Sequence, residues 1–345
     1  MTATDLSIKM HSDAHYNSPS IFDDRLDKSF ADIDWQAPWL GHLNQLSTIS
    51  KMIDSLSGSS QKLDKSIKIN DQTNIAAPDI IAKVLNTAMA EQNKHSQQPL
   101  QTKTAANNAT NNQAHRLRFV SQDALPEGEA YESFIATTGN IPTRDNLHDL
   151  FNGSIWLTFP KTKALLNYYH MCEIAKKGIS ASRGRVRDTI TVFDENGAIL
   201  VTAEPSIGEA LVDFDWQISL ITSRASWDNP QQTSTDSKNN AKAVVYIFGH
   251  ALLEKLLQPR KPLCAHSVVI YVRPEFFALD MSERVQYVDN QLVNYMDNLL
   301  SQEDVTPRKL SPLPILGVPH FWAENANPSF YDDSQVFRSG RRQKV

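Results

Sequence analysis

The chain has 345 residues, of which 41% are hydrophobic and 21% charged, a composition typical of a globular protein with about two domains. Its formal net charge of −5 argues against general nucleic-acid binding, so nucleic acid is not expected as a partner. The two cysteines, Cys172 and Cys264, form neither a disulfide framework nor a zinc ribbon, and buried free thiols are expected. The chain does not open on an apolar signal core and holds no apolar run near about 20 residues. These features predict a soluble, cytoplasmic protein without a membrane span.

The N-terminal third changes character twice. Residues 1–30 are polar and aperiodic, which predicts disorder. Residues 31–90 place apolar side chains, beginning with Trp35 and Trp39, at helical spacing and are predicted to form a helical N-terminal extension. The stretch 91–115 is rich in Gln, Asn, Thr and Ala, which indicates a flexible low-complexity insert.

Regular structure is predicted to resume after the insert. LRFV at 117–120 favours a short strand, and the next helix is expected to end at Gly139. Residues 116–338 are predicted to form the main domain, followed by a basic tail over 339–345. The predicted fold class is α+β, mainly helical with a small β-hairpin or sheet, and with the N-terminal extension packed on the main domain.

The stretch 139–178 holds the densest set of chemically capable side chains. It is predicted to form a turn, a helix, a proline break and a second helix. Pro142 stops any earlier helix, and Thr143 is expected to cap a helix over 144–157. The second helix begins at Pro160, whose missing backbone donor is harmless in a first turn.

One arc of the 144–157 helix is apolar and the opposite arc is polar. The residues of this polar arc are Asp145, His148, Asp149, Asn152 and Trp156. A solvated face with paired neighbours explains such an arc. A site also explains it, with His148 as base or ligand and a carboxylate that orients it. Because an exposed face seldom carries a tryptophan, Trp156 favours a cleft.

The next signal is an alternation of apolar and polar side chains over 190–201, about an Asn-Gly pair. It predicts a β-hairpin with Gly197 in the left-handed conformation. Further on, 242–257 predicts a strand and then a helix, 264–272 a buried strand, and 282–302 a long helix. The C-terminal part, rich in proline and aromatic residues, is predicted to wrap over the surface.

Three further residues are candidates for a site. His250 precedes an apolar helix and His266 lies in a predicted buried strand, so hydrogen-bonded core histidines are the simpler interpretation. Asp333 follows another aspartate and can belong to a capped turn or ligate a metal. The motifs HExxH, GxSxG, GxxxxGK[ST], GxGxxG and CxxC do not occur. The best-marked hydrolase, nucleotide and zinc classes are thereby excluded, but a metal site assembled from distant segments is not.

Several segments in order resemble one family. They are NIPTRDNLHDLFNGSIWLTFPKTKALLN, FDENGA, FGHALLEKLLQPR, PLPILGVP and FYDD-x-x-VFR. Over residues 31–338, apart from the insert, the chain is similar to the domain-of-unknown-function family 3025. The resemblance implies a bacterial protein of unknown function, and it brings no activity, cofactor or catalytic residue. Two departures are the longer insert and His320-Phe321, where the resemblance implies a Gly-Trp-like pair.

Two functional hypotheses follow. The first is a protein that binds a ligand or partner in a polar groove around the 144–157 helix. The groove residues would be Arg144, Asp145, Asn152 and Trp156. The absence of catalytic motifs favours this hypothesis.

The alternative is a metal-dependent hydrolase in which His148 and Asp149 act together with His250, His266 or Asp333. The density of His and Asp favours it. The cofactor is unknown, and a divalent metal is the one considered. Approach of three of these five side chains to within about 5 Å would favour the metal hypothesis.

Overall fold

The computed structural model describes residues 28–57, 79–95, 101–102, 115–177, 184–230 and 240–340. The α-helices in these ranges are α1 (Ser47–Leu56), α2 (Ile80–His95), α3 (Tyr131–Thr138), α4 (Leu147–Thr158), α5 (Pro160–Lys177), α6 (Arg185–Asn196), α7 (Pro205–Val212), α8 (His250–Lys255) and α9 (Met281–Leu300). The strands are β1 (Gln101–Thr102), β2 (His115–Arg116), β3 (Arg118–Ser121), β4 (Asn140–Thr143), β5 (Gly197–Thr202), β6 (Ala243–Ile247), β7 (Cys264–Tyr271) and β8 (Ser311–Pro314). The predicted fold class, α+β and mainly helical, is confirmed.

The largest sheet lies at the centre of the hydrophobic core. Its strand order is β6-β5-β7-β8, with β5 parallel to β7 and the outer strands antiparallel to their neighbours. Every residue of β5 is buried. The apolar run Ala198–Val201 suits a central strand that is covered on both faces. Strands β3 and β4 form a separate parallel pair.

The N-terminal segment packs into the same core as the rest of the chain. Phe30 and Leu40 are each 1% exposed and belong to the main hydrophobic cluster. The His42 ring donates a hydrogen bond of 2.8 Å from Nε2 to the Ile247 carbonyl on β6. The short 3-10 helix Lys28–Asp32 extends order three residues into the stretch predicted to be disordered. Residues 1–27 lie outside the described residues.

The predicted insert begins later than the sequence indicated. Helix α2 continues to His95, so 91–95 are helical rather than part of a loop. At the other end β1 pairs with β2 through Gln101 and Arg116. Residues 96–100 and 103–114 lie outside the described residues.

The predicted hairpin over 190–201 is wrong. Residues up to Asn196 form α6, and Gly197 opens β5 directly with φ of −75°, outside the left-handed region. Ile190 and Phe193, three positions apart, share the buried face of the helix. The alternation was a fragment of this helical pattern joined to a buried strand.

Helix α4 begins three residues later than predicted, at Leu147. Its N-cap is Asn146, whose side chain accepts from the Asp149 backbone N–H at 2.8 Å, rather than Thr143. Thr143 instead ends β4, where it pairs with Ser121. The second helix starts at Pro160 as predicted.

The other predictions for the main domain hold with small shifts. Helix α3 ends at Gly139, which has φ of +72° and caps it. The strand and helix before Pro259, the buried strand and the long helix are β6, α8, β7 and α9. In residues 311–340, the described part of the C-terminal segment, the regular structure consists of β8 and short 3-10 turns. Cys172 and Cys264 are free, but neither is buried as predicted, since Cys172 is partly exposed and Cys264 is exposed.

Candidate metal centre

A cavity of about 360 Å³ lies between α3, α4, α5, α6 and the start of α8. Its chemically capable lining residues are Tyr131, Glu132, Arg144, His148, Asp149, Asn152, Trp156, Lys163, Asn167, His170, Asp194, Glu195 and His250. The volume falls within the range of small-molecule sites. Four of the five residues of the polar arc on α4 therefore line the cavity, namely His148, Asp149, Asn152 and Trp156.

Helical periodicity supplies one wall. His148, Asn152 and Trp156 are four residues apart on α4, so they lie on one face of that helix. Lys163 and His170 are seven apart on α5 and likewise share a face. The two helices meet at the break before Pro160, which brings their polar faces to the same cavity.

A contact between two glycines supplies the opposite wall. The backbone N–H groups of Phe248 and Gly249 both donate to the Gly197 carbonyl, at 3.0 and 2.8 Å. A Cβ on Gly249 would lie 2.6 Å from Glu195 O, closer than side-chain carbons approach. Because only glycine fits, the end of α6 and the start of α8 touch, which places Glu195 beside His250.

Two imidazoles face each other across this junction. His148 Nε2 and His250 Nε2 lie 3.0 Å apart, with ring planes at 83°. The other ring nitrogen of each histidine faces a carboxylate. His148 Nδ1 lies 3.1 Å from Glu254 Oε2, and His250 Nδ1 lies 3.9 Å from Asp194 Oδ2. Each carboxylate favours a proton on Nδ1 and leaves an Nε2 lone pair directed at the other ring.

Glu195 completes a set of three potential ligands. One ligand atom from each of His148, Glu195 and His250 lies within 4.8 Å of the other two. Two nitrogens bound to one ion by bonds of about 2.0–2.1 Å lie roughly 3.0–3.4 Å apart, which fits the histidine pair. The carboxylate of a flexible glutamate needs only a side-chain rotation to join them.

Burial keeps His250 neutral. It is 4% exposed, and desolvation lowers its pKa to about 4 although the Asp194 carboxylate opposes this. Burial also acts to raise the pKa of Asp194, but the charge and hydrogen bond of Lys163 act against it, and that pKa lies below its usual value. A neutral imidazole beside an ionised carboxylate is the form in which histidine binds a metal.

Lys163 joins Asp194 to the wall of α4. Its ammonium, 5% exposed, donates to Asp194 Oδ1 at 2.6 Å and to Asn152 Oδ1 at 2.9 Å. Asn152 in turn donates to the Tyr131 hydroxyl at 3.2 Å. Burial raises the pKa of that hydroxyl, so Tyr131 stays protonated. The network fixes Asp194 behind His250.

The Asp149 carboxylate is paired with Arg144. Its carboxylate accepts from the Arg144 backbone N–H at 2.7 Å and from the guanidinium Nε and Nη2 at 3.1 and 2.9 Å. This pairing raises the pKa of Arg144 further. Asp149 therefore holds the entry to α4 and does not join the histidines.

Three other predicted site residues lie away from the cavity lining. Asp145 accepts from the backbone N–H groups of Asp79 and Ile81, so it caps the start of α2. His266 lies on β7 opposite Gly197. The Asp333 carboxylate lies 3.4 Å from the Lys261 ammonium.

Of the five residues weighed as metal ligands, the structure brings together only His148 and His250. Asp194 and Glu195 were not among the predicted site residues, although both lie in the FDENGA segment that resembles the family. Lys163 is likewise in the quoted FPKTK run. The charged residues within these two segments are the sequence feature that could have identified Asp194, Glu195 and Lys163 as site candidates.

The lining holds four carboxylates and two cations, so its formal charge is −2 when the histidines are neutral. The carboxylates are Glu132, Asp149, Asp194 and Glu195, and the cations are Arg144 and Lys163. A divalent ion would neutralise this charge, and buried charge that is unbalanced is costly.

None of the described helices has both the length and the apolarity to cross a lipid bilayer.

Comparisons with known proteins place the chain in a family. Searches of curated proteins and of solved structures give no match. A family model described as protein of unknown function (DUF3025) matches residues 117–341, which is most of the chain. The chain therefore belongs to this family.

Proposed function

We propose that this protein is a metal-dependent hydrolase whose divalent ion is held by His148, His250 and Glu195. The observation that carries the proposal is the pair of Nε2 atoms 3.0 Å apart, each on a ring whose Nδ1 faces a carboxylate. Histidines that bind a metal characteristically direct the second ring nitrogen at a carboxylate or carbonyl, which orients the ring and raises its basicity.

An ion would hold both rings in the tautomer that carries the proton on Nδ1. Without an ion, one Nε2 carries a proton and donates it to the other Nε2 across 3.0 Å. His148 would give up its hydrogen bond to Glu254 to do so, whereas His250 Nδ1 makes no hydrogen bond among the described residues, because Asp194 lies at 3.9 Å. A bound cation accepts both lone pairs and lets both Nδ1 protons stay opposite Glu254 and Asp194.

Hydrolysis follows from what the lining offers. The described lining residues include no serine, threonine or cysteine, and burial raises the pKa of the one lining phenol, Tyr131, so its hydroxyl stays protonated. Three protein ligands leave coordination positions for water, and an ion of this kind lowers the pKa of bound water toward neutrality. The same donor set holds Zn²⁺ in hydrolases and Fe²⁺ in oxygenases, so the identity of the ion tests the reaction class.

A binding protein without turnover is the second candidate. The commitment of Asp149 to Arg144 favours it, because the carboxylate expected to act as a base is already neutralised by a guanidinium. Under this hypothesis Asn152 and Trp156 would hold a ligand beside the ion. Metal binding without hydrolysis is the outcome that would select it.

Elemental analysis of the purified full chain tests the proposal. We expect about one equivalent of a transition metal, and an affinity for added Zn²⁺ at least about tenfold weaker in Glu195→Gln. Asp333→Asn is the matched control, since this carboxylate lies on Lys261 away from the cavity lining. If the wild-type chain holds only trace metal and binds no added divalent ion, the proposal fails. Hydrolysis of simple carboxylic and phosphate esters, lost in chelator and restored by the ion, then separates enzyme from binding protein.

A further inference from the structure

The cavity wall formed by the C-terminal half of α4 carries a buried donor that lacks an acceptor. Trp156 is 2% exposed and lines the cavity, and its indole N–H makes no hydrogen bond within the described part of the chain. Two other buried indoles find acceptors, whereas Trp35 Nε1, away from the cavity lining, also lacks one among the described residues. Trp227 donates to Ser219 O at 3.0 Å, and Trp216 donates to Arg338 O at 2.8 Å. A buried donor without a partner is costly, so its presence beside a cavity indicates that a ligand supplies the acceptor.

The Lys163 ammonium lies beside this indole. It is 5.4 Å from the centroid of the Trp156 ring. An ammonium has three hydrogens, and the hydrogen bonds to Asp194 and Asn152 use two of them. The third is available to a ligand. Lys163 therefore adds a donor beside the indole N–H, while its charge is balanced by the Asp194 carboxylate.

His170 extends the same wall. Its Nδ1 is buried and makes no hydrogen bond, although Glu132 Oε1 lies 3.7 Å away. Seven residues from Lys163 on α5, it lies on the same face of that helix. This part of the cavity thus gathers nitrogen donors that the protein itself leaves incompletely used.

From these contacts we infer that Trp156 and Lys163 form a subsite for an anionic oxygen group of the substrate, a carboxylate or a phosphate, with His170 at its edge. Such groups bring several acceptor oxygens, and a hydrogen bond from an ammonium to one of them is charge-assisted. The inference deepens the proposed function. Trp156 lies two helical turns from His148, about 12 Å along the axis of α4. Lys163 also bonds Asp194, which faces His250, so the substrate would be a small ester or amide whose anionic group lies close to the bond over the ion.

The subsite can be tested without the metal. Full-length protein stripped with chelator is titrated by calorimetry with inorganic phosphate and, separately, with acetate, against sodium chloride at matched ionic strength. The variant is Trp156→Phe, which keeps the ring and removes only the N–H. The matched control is Trp227→Phe, which removes an indole N–H that already has its acceptors.

We expect saturable binding of phosphate or acetate to the wild type, at least about fivefold weaker in Trp156→Phe and unchanged in Trp227→Phe, in line with one lost hydrogen bond to an anion. Preference for one anion identifies the substrate group as phosphate or carboxylate. Lack of binding by both anions, equal binding by Trp156→Phe, or equal weakening in both variants would overturn the subsite. Because the protein is metal-free, these outcomes do not depend on whether the histidines bind an ion.

Discussion

Two buried ion pairs of this protein differ in how completely they are satisfied. Arg284 donates through Nη1 to Asp228 at 2.8 Å, through Nε to Leu279 O at 3.0 Å, and through Nη2 to Phe277 O. Its guanidinium also lies over the rings of Phe276 and Phe277. Each guanidinium nitrogen is used and neither Arg284 nor Asp228 borders the cavity. This pair has the properties of a structural element.

The pair between Lys163 and Asp194 is similarly buried but borders open space. One ammonium hydrogen remains, the nearby indole N–H has no acceptor, and Asp194 faces a histidine at 3.9 Å rather than bonding it closely. Burial alone therefore does not distinguish a structural ion pair from one at a site. The distinguishing property is unused hydrogen-bonding capacity around a cavity, and each prediction below tests one side of this comparison.

The largest effect is expected at the satisfied pair. Arg284→Met leaves the Asp228 carboxylate buried without its partner, which should lower the free energy of unfolding by about 3–5 kcal/mol in urea titrations. Replacing both residues, as Arg284→Met with Asp228→Leu, should recover part of the loss. Metal content per folded molecule should not change in either variant, and a loss of metal would contradict the separation of the two regions.

A second prediction concerns His42, which packs in the filled core rather than at the cavity. Burial lowers its pKa to about 4, against an ordinary value of 6.5. A depressed histidine pKa means that the unfolded chain binds the proton first as the pH falls. The neutral ring should therefore contribute stability that is complete above about pH 6.5 and is lost progressively toward pH 4, by about 3 kcal/mol.

Denaturant titrations between pH 7 and pH 4 would measure this loss. His42→Gln keeps a donor for the Ile247 carbonyl and removes the titrating ring. In this variant the free energy of unfolding should fall less steeply between pH 7 and pH 4 than in the wild type. An acid limb of the same slope in the variant would show that His42 does not carry the effect.

Disturbing the contact between Gly197 and Gly249 should lower both the stability and the metal affinity. Gly249→Ala introduces a Cβ 2.6 Å from Asn196 Cα and Glu195 O, so α6 and α8 must separate. We expect a loss of about 2 kcal/mol, together with metal affinity about 10–100-fold weaker because Glu195 and His250 move apart. Gly41→Ala is the control, since its nearest neighbour would lie at 3.5 Å. Unchanged metal affinity in Gly249→Ala would show that the contact does not position the ligands.

Much of the fold could be predicted because the strong patterns are local. The periodicity of α4 and α5, the apolar run of β7 and the glycine that ends α3 are all visible within a few residues. The junction at Gly197 could not be predicted, because alternation about an Asn-Gly pair is also what a helix end followed by a buried strand looks like. Only the packing of Phe193 into the core separates the two.

The residues of the candidate site likewise divide into those that the sequence identifies and those that it does not. His148, Asn152 and Trp156 were identifiable because they share one helical face. Glu195 was not, because it reaches His250 only through a contact between Gly197 and Gly249, which are far apart in sequence. Asp149 lies beside His148 in the sequence, but adjacent helical residues point about 100° apart, and the Asp149 carboxylate pairs with Arg144.

The smallest effect on stability, with the sharpest effect on function, is expected for His148→Ala. Its side chain is one-third exposed and its hydrogen bonds run to Glu254, itself exposed, and to His250. Removing it leaves solvent to satisfy Glu254, so the free energy of unfolding should stay within about 1 kcal/mol of the wild type. Metal binding should be abolished, because one of two nitrogen ligands is lost. Paired calorimetry with Zn²⁺ and urea titrations would measure both quantities. A loss of stability well above that limit with metal affinity intact would place His148 with Arg284 as a structural residue. The distinction between the two ion pairs would then rest on Trp156 and Lys163 alone.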